Sequence, residues 1–206
     1  EAGREAMVQD PGSGLFSRKY LELQAAQALA HAARYGLEVS ILVLGFDNFD
    51  QVRAKLGNEV AEQVGSRFVK MLAAKVRQED SLGHYGAGQY AIIAPGTSPV
   101  LCAAFAERVR QAVEVARVSV QGNSISLTVS VGLSSIPGDA ASSAVALLEL
   151  AGQRMHDAML AGGNRIVSGE LNSGSARQMT WQHAVELITA RREEAVLPQL
   201  AALGVQ

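Results

Sequence analysis

The chain has 206 residues, of which 48% are hydrophobic and 18% charged, and a formal net charge of -2. That length suits one sizeable domain of mixed helix and strand and is short for two, while the near-balanced charge gives no global pull toward nucleic acid or an anionic membrane. Cys102 is the only cysteine, which excludes an internal disulfide framework and points to a reducing, cytoplasmic setting. No apolar run reaches the roughly 20 residues that span a bilayer, and no signal peptide is visible. The chain opens on Glu1 rather than Met, so it reads as a piece of a longer protein with a linked domain outside it.

In chain order, residues 1–13 are small and polar and read as a lead-in linker, with the loop signal Asp10-Pro11-Gly12-Ser13-Gly14 at their end. A helix is predicted from Ser17, as N-cap, to Tyr35, with Gly36 as its stop. Glu38–Gly45 is a nearly continuous aliphatic run, the pattern of a central strand buried on both faces, and Phe46-Asp47-Asn48-Phe49 is its exit loop. A short helix over Phe49–Leu56 stops at Gly57-Asn58, and a longer one, Glu59–Val76, carries Val60, Val64, Phe68, Met71 and Leu72 on one side.

Two β-patterned runs, Ser81–Tyr85 and Gln89–Ala94, then meet at Gly86-Ala87-Gly88, a tight hairpin that lets a ligand approach the backbone. Ser98–Val115 reads as a helix with Pro99 in its first turn. Arg117–Gln121 and Ser124–Ile136 read as a second hairpin turning at Gly122-Asn123. Helix Ser142–Ala161 and a short strand at Asn164–Ser168 close the domain, residues 14–168. A Gly/Ser-rich linker, residues 169–179, leads to an amphipathic helix within residues 180–206, whose apolar Trp181, Val185, Leu187, Ile188, Val196, Leu197 and Leu200 need a partner in the domain, in a second copy or in a following domain.

Cys102 lies in the apolar run Val100–Phe105 and reads as a small buried hydrophobe. His31, His84 and His156 are dispersed, and no His/Cys/Asp cluster suggests a metal; neither a metal nor a cofactor is expected. Tyr85 and Tyr90 read as strand core. Arg77 and Asp80, three apart, could converge on one planar ligand at a helix end. They could equally be an ordinary solvated pair worth about 0.2–0.5 kcal/mol, with Arg77 favoured by the helix dipole.

Across roughly Asp10–Val167 the chain resembles the GGDEF, or diguanylate cyclase, family. The stretch Asp10-Pro-Gly-Ser-Gly-Leu-Phe-Ser-Arg18 keeps Asp10, Gly14, Leu15 and Arg18 of the family's opening motif, and its signature falls on His84-Tyr-Gly-Ala-Gly-Gln-Tyr90. Later matches fall on Ser130-Val-Gly132 and Gly162-Gly-Asn-Arg165. The resemblance implies an α+β fold of ferredoxin-like βααββαβ order, a mostly antiparallel central sheet flanked by helices; the C-terminal helix read from the apolar pattern is additional to it.

The resemblance also implies where catalysis would sit, and there the sequence departs from it. Condensing two GTP molecules needs carboxylates that hold divalent cations against the triphosphate, yet the matching positions are Gly45, Gly88 and Gln89. Positions matching the guanine-reading Asn and Asp hold Arg53 and Glu62, and those matching the triphosphate-binding Lys and Arg hold Met159 and Gly163. Asp47, the second Asp of the family's Asp-x-Asp, cannot replace three missing acids. The implied state is a degenerate, inactive cyclase.

By contrast, the family's product-binding motif keeps its register. Arg77-Gln-Glu-Asp80 stands five residues before Gly86, and Arg108 matches a further family arginine. The resemblance implies cyclic di-GMP as the ligand of Arg77, Asp80 and Arg108, since an arginine fork pairs with guanine O6 and N7 or a phosphate and a carboxylate accepts from guanine N1–H and N2–H₂. Glu79 and Glu107 lower the local positive potential and count against it. Three readings stay open: a non-catalytic cyclic di-GMP receptor, a protein-interaction or dimerisation module that takes no nucleotide, and a working cyclase.

Overall fold

The structure, a computed structural model, describes residue 9 and residues 13–120, 123–139, 141 and 143–169. Asp10, the hairpin residue Gly122, nearly all of both expected linkers and the whole expected C-terminal helix lie outside these residues. The described elements run α1 (Arg18–Tyr35), β1 (Val39–Phe46), α2 (Phe49–Leu56), α3 (Asn58–Ala73), β2 (Ser81–Gly86), β3 (Gln89–Pro95), α4 (Pro99–Val115), β4 (Arg117–Val120), β5 (Asn123–Ser126), β6 (Val129–Ile136), α5 (Ala144–Leu160) and β7 (Ile166–Ser168).

Local chemistry sets the boundaries. The Ser17 hydroxyl accepts from the Tyr20 N–H at 3.3 Å and caps α1, which ends where Gly36 takes a left-handed φ of 65°, a conformation that costs glycine little. Ser98 and Ser143 cap α4 and α5 in the same way. The order expected from the resemblance is found: a five-stranded sheet β2-β3-β1-β6-β7, antiparallel throughout except for the parallel β6–β7 pair.

β1 is buried along its whole length, and its alternating side chains serve two cores. Leu42, Leu44 and Phe46 face Val64, Phe68, Leu72, Ala106 and Val109 of α3 and α4; Val39, Ile41 and Val43 face Leu21, Ala25, Leu147 and Leu148 of α1 and α5. Each fully buried Leu or Ile of this kind contributes about 1.5–3 kcal/mol of transfer free energy. At Gly132 α5 lies directly on the sheet, and a methyl group there would meet the backbone of Ala151 and Met155. Ahead of α1, Phe16 lines the outer edge of β2, with its N–H donating to Leu82 O at 3.3 Å and its carbonyl accepting from His84 N at 2.9 Å.

The second hairpin differs from expectation. The run Ser124–Ile136 is two strands: β5 pairs only with β4 in a separate ribbon, and β6 pairs with β1 and β7. The break falls at Leu127-Thr128 because both residues are claimed elsewhere. Leu127 is buried in the core with α3 and α4, and Thr128 gives its carbonyl to the Asp47 N–H at 3.0 Å and its hydroxyl to the Asp47 carboxylate at 2.7 Å. Likewise α3 stops at Ala73, short of the expected Val76, so Arg77 stands in the loop beyond the helix.

Candidate functional site

Two regions match the functional positions of the resemblance. The first lies at the end of β1, where one rung of the sheet aligns Gly45 with Gln89 of β3 and Ser130 of β6. Gly45 is covered by α5: a Cβ built there would stand 2.5 Å from Met159 Cε, 2.7 Å from Met155 Sδ and 3.4 Å from Gln89 Cγ. Gly88, at the hairpin tip with φ 66°, has the Phe49 ring 2.6–3.0 Å from where its Cβ would lie. These positions carry no carboxylate, and the space beside Gly45 and Gly88 is filled by the Met155, Met159 and Phe49 side chains. Among the described residues, no group of three or more His, Cys, Asp or Glu could hold a metal ion. The divalent cations implied by the family therefore do not fit the residues present.

Asp47 is nearby and fully engaged. One carboxylate oxygen accepts from the Ser130 hydroxyl at 2.7 Å, and the other accepts from the Thr128 hydroxyl at 2.7 Å and the Asn164 N–H at 2.8 Å. Gly163 clears space for it, since a Cβ there would come within 2.7 Å of its carboxyl carbon. Asp47 thus ties the ends of β1 and β6 to the turn after α5. Arg110 of α4 extends the tie, donating to Asn164 Oδ1 at 2.6 Å, to both Glu107 oxygens at 2.7 and 2.9 Å and to Glu114 at 2.9 Å. Hydrogen bonding from Arg110 holds the Glu107 carboxyl below its usual range.

An open cleft of about 870 Å³ lies between α2, α3 and the β2–β3 hairpin, lined among others by Phe49, Arg53, Glu62, His84, Gly88 and Tyr90. Arg53 and Glu62 are thus brought to one cavity. Arg53 is committed in part to Asp50, at 2.8 Å on the surface, and His84 Nε2 meets the Ser13 hydroxyl at 2.7 Å. Tyr90 is buried as expected, and Tyr85 is half-buried with the Arg18 guanidinium 4.5 Å above its ring. Cys102 is buried, which pushes its thiol up to about 12, so it is inert packing.

The second region is the loop between α3 and β2. Asp80 Oδ2 accepts from the Arg77 backbone N–H at 3.0 Å, and the Asp80 N–H returns to Arg77 O at 3.2 Å. This closed turn replaces the side-chain ion pair that a solvated Arg–Asp couple would form. The Arg77 guanidinium points outward, 58% exposed, with Glu79 4.0 Å away. Asp80 Oδ1 is buried and has no hydrogen-bond partner. Burial pushes the Asp80 carboxyl up, with a smaller push from Glu79, against the pull of the Arg77 N–H and charge. Arg108 is exposed on α4, its guanidinium 6.0 Å over the Phe105 ring. Sequence reading missed the fillers Met155 and Phe49; the only signal was that Met155 and Met159 share a helix face four residues apart.

The model of the family described as "Diguanylate cyclase, GGDEF domain" matches residues 7–165. Diguanylate cyclase DgcP of Pseudomonas aeruginosa is 28% identical over 166 residues, 81% of this chain and 24% of that protein. Diguanylate cyclase A of Treponema denticola is 28% identical over 134 residues, 65% of this chain and 36% of that protein. The chain thus spans about a quarter to a third of these relatives' length. Among solved structures, the GGDEF domain of DgcB from Caulobacter crescentus in complex with c-di-GMP superposes with a TM-score of 0.73 at 22% identity, covering 79% of this chain and 96% of that one. Diguanylate cyclase SiaD of Pseudomonas aeruginosa, in complex with its activator SiaC, gives a TM-score of 0.73 at 24% identity over 81% of this chain and 64% of that one. With the family model matched over most of its length, this chain belongs to the GGDEF domain family.

Proposed function

We propose that this GGDEF domain is a non-catalytic receptor for cyclic di-GMP, binding it through Arg77, Asp80 and Arg108, and that it reports occupancy within a longer cytoplasmic signalling protein. The observation that carries the reading is the Arg77 guanidinium held in solvent, 58% exposed, on a turn that Asp80 closes through its Oδ2, with Asp80 Oδ1 left unpaired. A buried acceptor left unpaired costs about 1–3 kcal/mol, and the adjacent N1–H and N2–H₂ of guanine are donors of the geometry a carboxylate accepts. The exposed Arg77 guanidinium supplies the complementary fork for a phosphate or the guanine Hoogsteen edge. The c-di-GMP complex of the DgcB domain supports the choice of ligand class.

Loss of catalysis rests on Gly45, Gly88 and Gln89, which offer no anionic ligand to a divalent cation. Purified protein with GTP and Mg²⁺ or Mn²⁺ is expected to make no cyclic di-GMP; product that vanishes on mutation near Gly86–Tyr90 would restore the cyclase reading. The receptor reading is tested by calorimetric titration of cyclic di-GMP at fixed salt. Arg77→Ala removes a charge-assisted contact worth about 1.5–3 kcal/mol, so affinity should fall roughly ten- to a hundredfold. Absence of micromolar binding, or equal binding by both proteins, sinks it. The protein-interaction reading, a homodimer included, then takes over, and the exposed Tyr35, Leu37, Val100 and Leu101 favour it.

A further inference from the structure

The metal-site end of the sheet has lost more than its acids. Met155 and Met159 project from one face of α5 onto Gly45, and the Gln89 side chain closes the space from β3. A Cβ at Gly45 would lie 2.5 Å from Met159 Cε and 2.7 Å from Met155 Sδ, well inside the optimum of about 3.5–4.0 Å for carbon contacts, so any side chain there must first displace these flexible thioethers. Gly88 is closed independently by the Phe49 ring. Thioethers are soft ligands, poorly suited to hard Mg²⁺ or Mn²⁺. Resting on the non-catalytic reading above, we infer that Gln89, Met155 and Met159 form a packed plug over Gly45, so that restoring carboxylates does not restore a cation site while the plug stands.

The plug makes a prediction about stability that needs neither GTP nor cyclic di-GMP. In a double-mutant cycle followed by thermal unfolding, Gly45→Ala alone should lower Tm by roughly 2–4 °C, the low end for overpacking because the atoms it meets are flexible side-chain ends. In a Met159→Ala background the same change should cost at most half as much. Equal losses in both backgrounds, or no loss in either, overturn the plug. A second arm adds Gly45→Asp and Gln89→Glu together and measures Mn²⁺ binding by water-proton relaxation. Binding is expected only when Met159→Ala is added. Mn²⁺ bound with both methionines in place, or by neither variant, counts against the plug, and the cycle stands by itself where the acidic variants do not fold. A failed cyclic di-GMP titration leaves these results untouched, whereas GTP turnover by the unaltered protein removes their premise.

Discussion

The end of β1 and the loop after α3 lie in the same domain and handle polar groups in opposite ways. At the first, both carboxylate oxygens of Asp47 accept from within the chain and the neighbouring glycines are covered by Met155, Met159 and Phe49. At the second, Asp80 keeps one oxygen buried and unfilled while Arg77 holds its guanidinium in solvent. A region whose hydrogen bonds close internally gains nothing polar from a ligand. One that presents an exposed guanidinium does, because an anionic ligand gains charge-assisted hydrogen bonds there.

The contrast breaks most sharply at Asp47. Asp47→Ala should cost about 3–5 kcal/mol in urea unfolding, since it leaves the Ser130 hydroxyl and the Asn164 N–H without their acceptor. A loss under about 1 kcal/mol would mean the carboxylate is held for a ligand rather than for the fold. Asp80 should behave the other way. Asp80→Asn should be neutral or slightly stabilising at pH 7 while weakening cyclic di-GMP binding; a clear loss of stability without loss of affinity would make Asp80 a structural turn residue.

The smallest effect is in the pH profile. The folded carboxyl of Asp80 lies above its ordinary value of 3.8, so folded protein takes up this proton more readily than unfolded protein. The stability of the unaltered protein relative to Asp80→Asn should therefore rise as pH falls through that raised pKa. Ligand donors favour the charged form, so affinity should decline over the same interval. Affinity that is flat with pH down to 3.8 would remove Asp80 from the ligand's contacts.

Much of the fold was legible because local signals and packing agree. Ser17 and Gly36 bound α1, Gly57 separates α2 from α3, and the aliphatic run of β1 announces burial on both faces. The break at Leu127-Thr128 was hidden, because period-2 patterning continues through it and only Asp47, 81 residues away, shows why the strand ends. At the site, the identities Gly45, Gly88 and Gln89 were legible in the sequence. The plug over Gly45 and the stranded oxygen of Asp80 were not, since each depends on which element packs where.

Phe16 gives the domain a mechanical property. Its two backbone hydrogen bonds hold the chain ahead of α1 in shear against Leu82 and His84, so tension on that segment is borne by β2 before it reaches α1. β2 begins at Ser81, the residue after Asp80. A pull transmitted along the chain from upstream would therefore load the strand that anchors one wall of the Arg77–Asp80 turn.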